Sequence, residues 1–138
     1  MLSKILKFGA LGALALVFAA CAKPFIGTEL TPEGHQMSYS QSKPMGCMLV
    51  GEKQGVARKG NTDATIGQIK ESAKNDMVNN AAFLQQVGAS KGNKRLVAYI
   101  AKEEWGCGKH EAPCKDREPD ISDVSILKVY GEVYECNF

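Results

Sequence analysis

The chain has 138 residues, 17 of them basic and 15 acidic, for a formal charge of +2 at neutral pH. So small an excess, with no basic run interleaved with aromatics, excludes the electrostatic footprint of a nucleic-acid binder. A run of basic residues that would make a polybasic membrane patch is equally absent.

Lys4 and Lys7 precede an uncharged apolar run from Phe8 to Ala20. A membrane span needs roughly 20 apolar residues, so this shorter run predicts a signal-peptide core. Ala19 and Ala20 offer the small side chains a peptidase groove requires, directly before Cys21. The stretch Leu16-Val17-Phe18-Ala19-Ala20-Cys21 resembles a bacterial lipobox, with Phe18 where Leu or Val is commoner. The plainer alternative is a secretory leader with an incidental cysteine. The lipobox resemblance implies cleavage after residue 20 and fatty acyl chains, such as palmitate, on Cys21. Several chains at ~0.8 kcal/mol per buried CH₂ hold a protein firmly in a bilayer. Ala22, rather than Asp, implies the outer membrane by resemblance to lipoprotein sorting signals. The expected organisation is a signal peptide over 1–20, a lipidated tether over 21–34 and one periplasmic α/β domain over 35–138. Loss of Lys4 and Lys7 with the leader leaves 15 basic residues against 15 acidic, a neutral mature chain. Its 118 residues suffice for one domain with a modest core.

Beyond Cys21 four cysteines remain, Cys47, Cys107, Cys114 and Cys136. An even number in a small exported domain reads as two disulfides. Three pairings are possible, and spacing does not choose among them.

Ala22 to Gly34, with Pro24, Gly27, Pro32 and Gly34, shows little periodicity and reads as the tether, with a reach of up to roughly 45 Å. His35 to Gln41 alternates weakly and predicts an edge strand, and Ser42 to Gly46 a turn. Cys47 to Lys53 predicts a second strand closed by Gly55, and Val56 to Asp63 a polar loop. Arg58 and Lys59 in that loop read as solvated rather than as a binding patch. Ile66, Ile69, Ala73, Met77, Ala81, Leu84 and Val87 recur at three- and four-residue spacing and predict a helix. Thr65 with Gln68 fits a capping box at its start, and Gly88 a stop. Lys70, Glu71, Lys74, Asn75 and Asn79 read as its solvent face. The same spacing would suit a coiled-coil partner, but one short helix packs more readily on its own sheet.

Ser90 to Asn93 predicts a turn, and the apolar run Arg95 to Ala101 a central strand. Glu103 to Ser122 reads as a long loop, of the kind that is usually functional, mobile or cross-linked. Val124 to Cys136 alternates, with Leu127, Val129, Gly131 and Val133 on one side and Val124, Ile126, Tyr130 and Tyr134 on the other. The expected fold is α+β: a small mixed β-sheet in the order β-β-α-β-β, one helix packed on one face, stapled by disulfides. A helix linking two strands favours running them parallel.

Gly46-Cys47-Met48-Leu49-Val50-Gly51, Asn75-Asp76-Met77-Val78-Asn79-Asn80 and Gly131-Glu132-Val133-Tyr134-Glu135-Cys136 carry a resemblance. With the lipobox, they resemble a family of small Gram-negative outer-membrane lipoproteins classed as a domain of unknown function. More distantly the chain is similar to RcsF, the envelope-stress sensor lipoprotein. The resemblance covers about residues 35–138. It implies a compact tethered domain with a disulfide between the second strand and the chain end, which maps onto Cys47 and Cys136. Cys107 and Cys114 would then close a local loop.

The candidate chemistry is sparse. Cys107, His110 and Cys114 could offer soft ligands to zinc or copper, although the spacing fits no common zinc motif and a disulfide staple is the simpler expectation. No Cys-x-x-Cys pair is present to suggest a thiol oxidoreductase. His35 has no evident nucleophile partner, and nothing sets Glu103, Glu104 or the acidic residues from Asp116 to Asp123 across a cleft. The sequence therefore predicts no enzyme, no catalytic residue and no cofactor beyond the lipid on Cys21. It predicts a non-catalytic domain that binds an envelope protein, with Trp105, Tyr130 and Tyr134 as the contact surface. The alternative is a metal- or small-ligand-binding lipoprotein using Cys107, His110 and Cys114.

Overall fold

The computed structural model describes residues 23–86 and 95–137. The leader, Cys21, Val87, the helix stop at Gly88 and the turn at Ser90 to Asn93 lie outside the described residues. The elements are α1 (Pro32–Gln36), β1 (Ser38–Ser40), β2 (Met48–Arg58), α2 (Ile66–Gln86), β3 (Arg95–Cys107), β4 (Ala112–Pro113) and β5 (Val124–Cys136). The sheet order is β1-β3-β5-β2, with β4 adding to the far end of β3. β5 is antiparallel to both β2 and β3, and β1 is parallel to β3. The strands that α2 connects thus run in the same direction, as a helical crossover favours, but β5 lies between them.

The start of α2 follows from its cap. The Gln68 backbone N–H donates to Thr65 Oγ1 at 3.2 Å, and the Thr65 N–H donates to Gln68 Oε1 at 2.9 Å. One face of the helix then buries Ile69, Ala73, Met77 and Ala81 against Leu96, Leu127, Val129 and Val133 of the central strands. Full burial of each large aliphatic side chain contributes about 1.5–3 kcal/mol. Among the described residues no helix is long and apolar enough to cross a membrane.

The helix sits very close to the sheet. A Cβ on Gly55 would overlap the Ala73 carbonyl oxygen and the Met77 backbone nitrogen, and one on Gly131 would overlap the Met77 thioether. These contacts explain why β2 continues through Gly55 to Arg58, past the expected stop. The glycine makes room for the helix and does not turn the chain, so Val56 to Arg58 belong to the strand.

Three other expectations shift. The weak strand expected from His35 shortens to Ser38–Ser40. Thr31 accepts from the Gly34 N–H and Pro32 opens α1, which takes His35 and Gln36 into a helical turn. β3 runs on to Cys107, because pairing with β5 carries the charged residues Lys102, Glu103 and Glu104 into the ladder. Val124 joins the helix-side core although Ile126 faces the other way. The register shift opposite Gly106 and Cys107 leaves Ser125 unpaired and reverses the facing of residues before it.

Most consequentially, residues 23–31 do not form a free tether. Lys23 bridges Thr62, and the Phe25 N–H donates to Asp63 Oδ1 at 2.9 Å. The Thr28 N–H donates to Ser72 Oγ, and the Thr31 N–H to Asn79 Oδ1, both at 2.9 Å. Asn75 and Asn79 return donors to the Thr28 and Glu29 carbonyls at 2.9 Å each. This segment is a strap along α2. Asn75 and Asn79, expected on a solvent face, are its fasteners.

Candidate functional site

Both disulfides join the sheet to itself at opposite ends. Cys47–Cys136 ties the start of β2 to the end of β5 across a sequence separation of 89, and Cys107–Cys114 closes a separation of 7 around the β3–β4 hairpin. The hairpin turns through Gly108 and Glu111, both at positive φ. Gly106 has no room for a side chain, since a Cβ would meet Ile126 and the Glu111 carbonyl. The Cys114 N–H donates to the Trp105 carbonyl, and Ser125 Oγ to the carbonyls of Gly106 and Gly108.

The bridge removes Cys107 and Cys114 from the thiolate form that a metal ligand requires, and His110 stands exposed on the turn. Among the described residues no group of three or more His, Cys, Asp or Glu side chains could hold a metal ion. His35 is exposed in the last turn of α1.

The aromatic residues expected to share a contact surface do not gather. Trp105 pairs with Leu127, packs half-buried against the helix-side core, and edges a cleft of about 490 Å³ beneath the loop after the hairpin. Glu103, Glu104, Glu111 and Asp116 line that cleft against Lys115, Arg117 and Lys128. Four carboxylates facing three cations give it no single-signed field with which to select a charged ligand.

Tyr130 and Tyr134 lie on the sheet face away from α2. Tyr134 is only 4% exposed, in a small second cluster with Val97, Tyr99 and the Cys47–Cys136 bridge. Burial, then the bond from its hydroxyl to Glu132 at 3.0 Å, pushes its phenol pKa up. Tyr130 donates its hydroxyl to Glu104 Oε2 at 2.8 Å, while Lys102 Nζ reaches Glu104 Oε1 at 2.8 Å. Lys102, then Tyr130, holds the Glu104 carboxyl below its ordinary value, and Glu104 in turn raises both Lys102 and Tyr130. This exposed polar cluster is satisfied internally.

The exposed apolar side chains lie elsewhere. Met45, Met48 and Leu49 flank Cys47 and are 90%, 62% and 46% exposed. Leu49 pairs with Tyr134 on the face away from the helix, and Met48 with Glu135. Sequence reasoning placed this stretch in a turn and a strand without marking it as a surface. Two methionines and a leucine within five residues around a cysteine were the available signal.

The outer edge of β2 is covered at Gln54 to Val56. The Val56 N–H donates to Asp76 Oδ2 at 2.8 Å, and Asn80 Nδ2 donates to the Gln54 carbonyl at 2.7 Å. Side chains of α2 therefore occupy backbone groups that another strand would use. Every residue of Asn75-Asp76-Met77-Val78-Asn79-Asn80 thus has a structural role. Asn75 and Asn79 fasten the strap, Asp76 and Asn80 block the edge, and Met77 and Val78 pack in the core.

Comparison with models of known protein families, with curated proteins and with solved structures returned no match.

Proposed function

We propose that the chain is an outer-membrane lipoprotein, held by acyl chains on Cys21, whose domain is a non-catalytic binding module for an envelope protein partner, in sensing or maintaining the envelope. The observation that carries this reading is the exposed trio Met45, Met48 and Leu49 beside the Cys47–Cys136 bridge. Met48 and Leu49 are neighbours in β2 and face opposite sides of the sheet, so the apolar side chains ring this end, and exposed apolar area is what protein contact sites use. Unbranched methionine adapts its shape to a partner. The bridge at the root of the trio keeps the surrounding backbone ordered, so binding would order little more than side chains. The two disulfides support an oxidising compartment, and the lipobox supports the anchor. The contact surface moves accordingly, from Trp105, Tyr130 and Tyr134 to the Cys47 end.

The test is a photo-crosslinking amino acid placed at Met45 or Met48 of the full chain in cells, with His110 at the other end as the comparison. We expect a discrete protein adduct from Met45 and Met48, lost on Leu49→Asp. The same adduct from His110, or none from any position, would contradict the proposal.

A further inference from the structure

We propose that the domain docks end-on against phospholipid headgroups, through the end formed by the strap start, the Lys59–Asp63 turn and the β3–β4 hairpin. This deepens the reading above and rests on acylation of Cys21. Only Ala22 separates Cys21 from Lys23. Consecutive Cα atoms are about 3.8 Å apart, so the Cα of Cys21 lies within about 8 Å of that of Lys23 whatever path the chain takes. Lys23 is fixed in turn by its bridge to Thr62, by the Asp63 N–H donating to the Lys23 carbonyl at 3.0 Å, and by the Phe25 bond to Asp63. An anchor on Cys21 therefore holds this end at the bilayer and does not release the domain on a long tether.

The end is made of turns and presents lysines together with one exposed isoleucine. Lys59 is bonded through its backbone to Ser125, and Gly108 to Asp123, which sets the turn and the hairpin side by side. Lys23, Lys59 and Lys109 make no ion pair among the described residues. Carboxylates share this end with the lysines: Asp63 accepts from the strap, Glu111 pairs with Arg58 at 3.3 Å, and Asp116, Asp120 and Asp123 line the cleft beside Gly108. Ile26, three residues beyond Lys23, is 89% exposed although the segment around it is pinned to Asp63 and to Ser72 of α2. An isoleucine held outward next to an acylated residue is placed to enter the headgroup–acyl boundary, as interfacial apolar side chains do.

The two ends of the sheet are far enough apart to be told from one another at a membrane. β5 has 13 residues, so at roughly 3.4 Å per residue the ends are about 40 Å apart. The acylated full chain, isotopically labelled, would be placed in phosphatidylethanolamine–phosphatidylglycerol nanodiscs bearing a gadolinium-chelate lipid. Its acyl chains would first be verified by intact mass. Relaxation enhancement of backbone amides is expected to be largest over residues 23–27, 59–62 and 108–110 and smallest over 46–49. Ile26→Asp should lower it at least about twofold around the strap. An unacylated Cys21 would overturn the lipoprotein reading and this proposal with it. An acylated chain with uniform enhancement, or with the maximum over 46–49, would overturn the docking proposal alone.

Discussion

The two ends of the sheet are built by different means. At one end Cys47–Cys136 closes most of the domain, and Cys136 is buried with Tyr134 and Val97 in its own small cluster. At the other, Cys107–Cys114 closes only a hairpin, and hydrogen bonds among the turns and the strap supply the remaining restraint. A long covalent loop constrains the unfolded chain far more than a short one. The bridge at the first end thus contributes more to the stability of the whole domain, and that end presents apolar side chains. The second is held locally and presents lysines beside the point of chain entry. The difference is what the proposed distal contact surface and proximal anchor require.

The contrast breaks most visibly if the staples are removed one at a time. Replacing Cys47 and Cys136 with alanine should cost about 4–5 kcal/mol on the chain-entropy account, against about 2–3 kcal/mol for Cys107 and Cys114. Urea unfolding of the two variants measures both. Equal losses would mean that the hairpin bridge carries more than its own loop.

The middle of the sheet supplies the next largest effect. Gly55→Ala meets the backbone of Ala73 and Met77, which cannot move without shifting α2, whereas Gly131→Ala meets the flexible Met77 thioether. Overpacking costs typically about 1–3 kcal/mol. Gly55→Ala should fall at the upper end of that range and Gly131→Ala at the lower, as measured by thermal or urea midpoints.

Unfastening the strap should cost less than Gly55→Ala. Asn79→Ala removes the acceptor for the Thr31 N–H and the donor to the Glu29 carbonyl, each worth about 1 kcal/mol. Hydrogen exchange should show Thr28 and Thr31 losing protection while the β3 and β5 amides keep theirs. Loss of protection throughout the sheet would mean that the strap is part of the cooperative core.

The smallest effect concerns the exposed cluster on the face away from α2. Lys102 and Tyr130 hold Glu104 below its ordinary value of 4.5. Its contribution to stability is therefore present above that value and lost as pH falls through the lower folded one. Glu104→Gln should flatten that part of the urea-midpoint profile below pH 4.5 and leave neutral stability little changed.

What the sequence disclosed, and what it hid, follows the range of the interactions. The Thr65–Gln68 cap and the bounds of β5 were legible because a three-residue rule and a two-residue alternation define them. The two bridges agree with the pairing that the family resemblance implied. The strap was hidden because its backbone is fixed by helix side chains more than 40 residues away, and Asn75 and Asn79 look solvated until their partners are known. Asparagine is a poor helix former that competes for backbone groups. Asn75, Asn79 and Asn80, close together on an amphipathic helix, were the signal that these side chains had partners. The extension of β3 was hidden because Lys102-Glu103-Glu104 has no strand pattern of its own and is strand only through β5. At the candidate site, Trp105 and Tyr130 were separated by strand parity, which a one-residue bulge at Ala101 reverses between the Tyr99 and Lys102 pairs. The exposed methionines were in plain view but have no periodicity to mark them.

Export and anchoring of a stapled domain come before every other step, and one measurement addresses them directly. The protein would be taken from membranes without reductant, its free thiols alkylated, and its intact mass and non-reduced peptides determined. The account predicts an acylated Cys21 at the amino terminus, no alkylated cysteine, and linked peptides Cys47–Cys136 and Cys107–Cys114. A chain that retains its leader without lipid, or that carries alkylated Cys107 and Cys114, would contradict it.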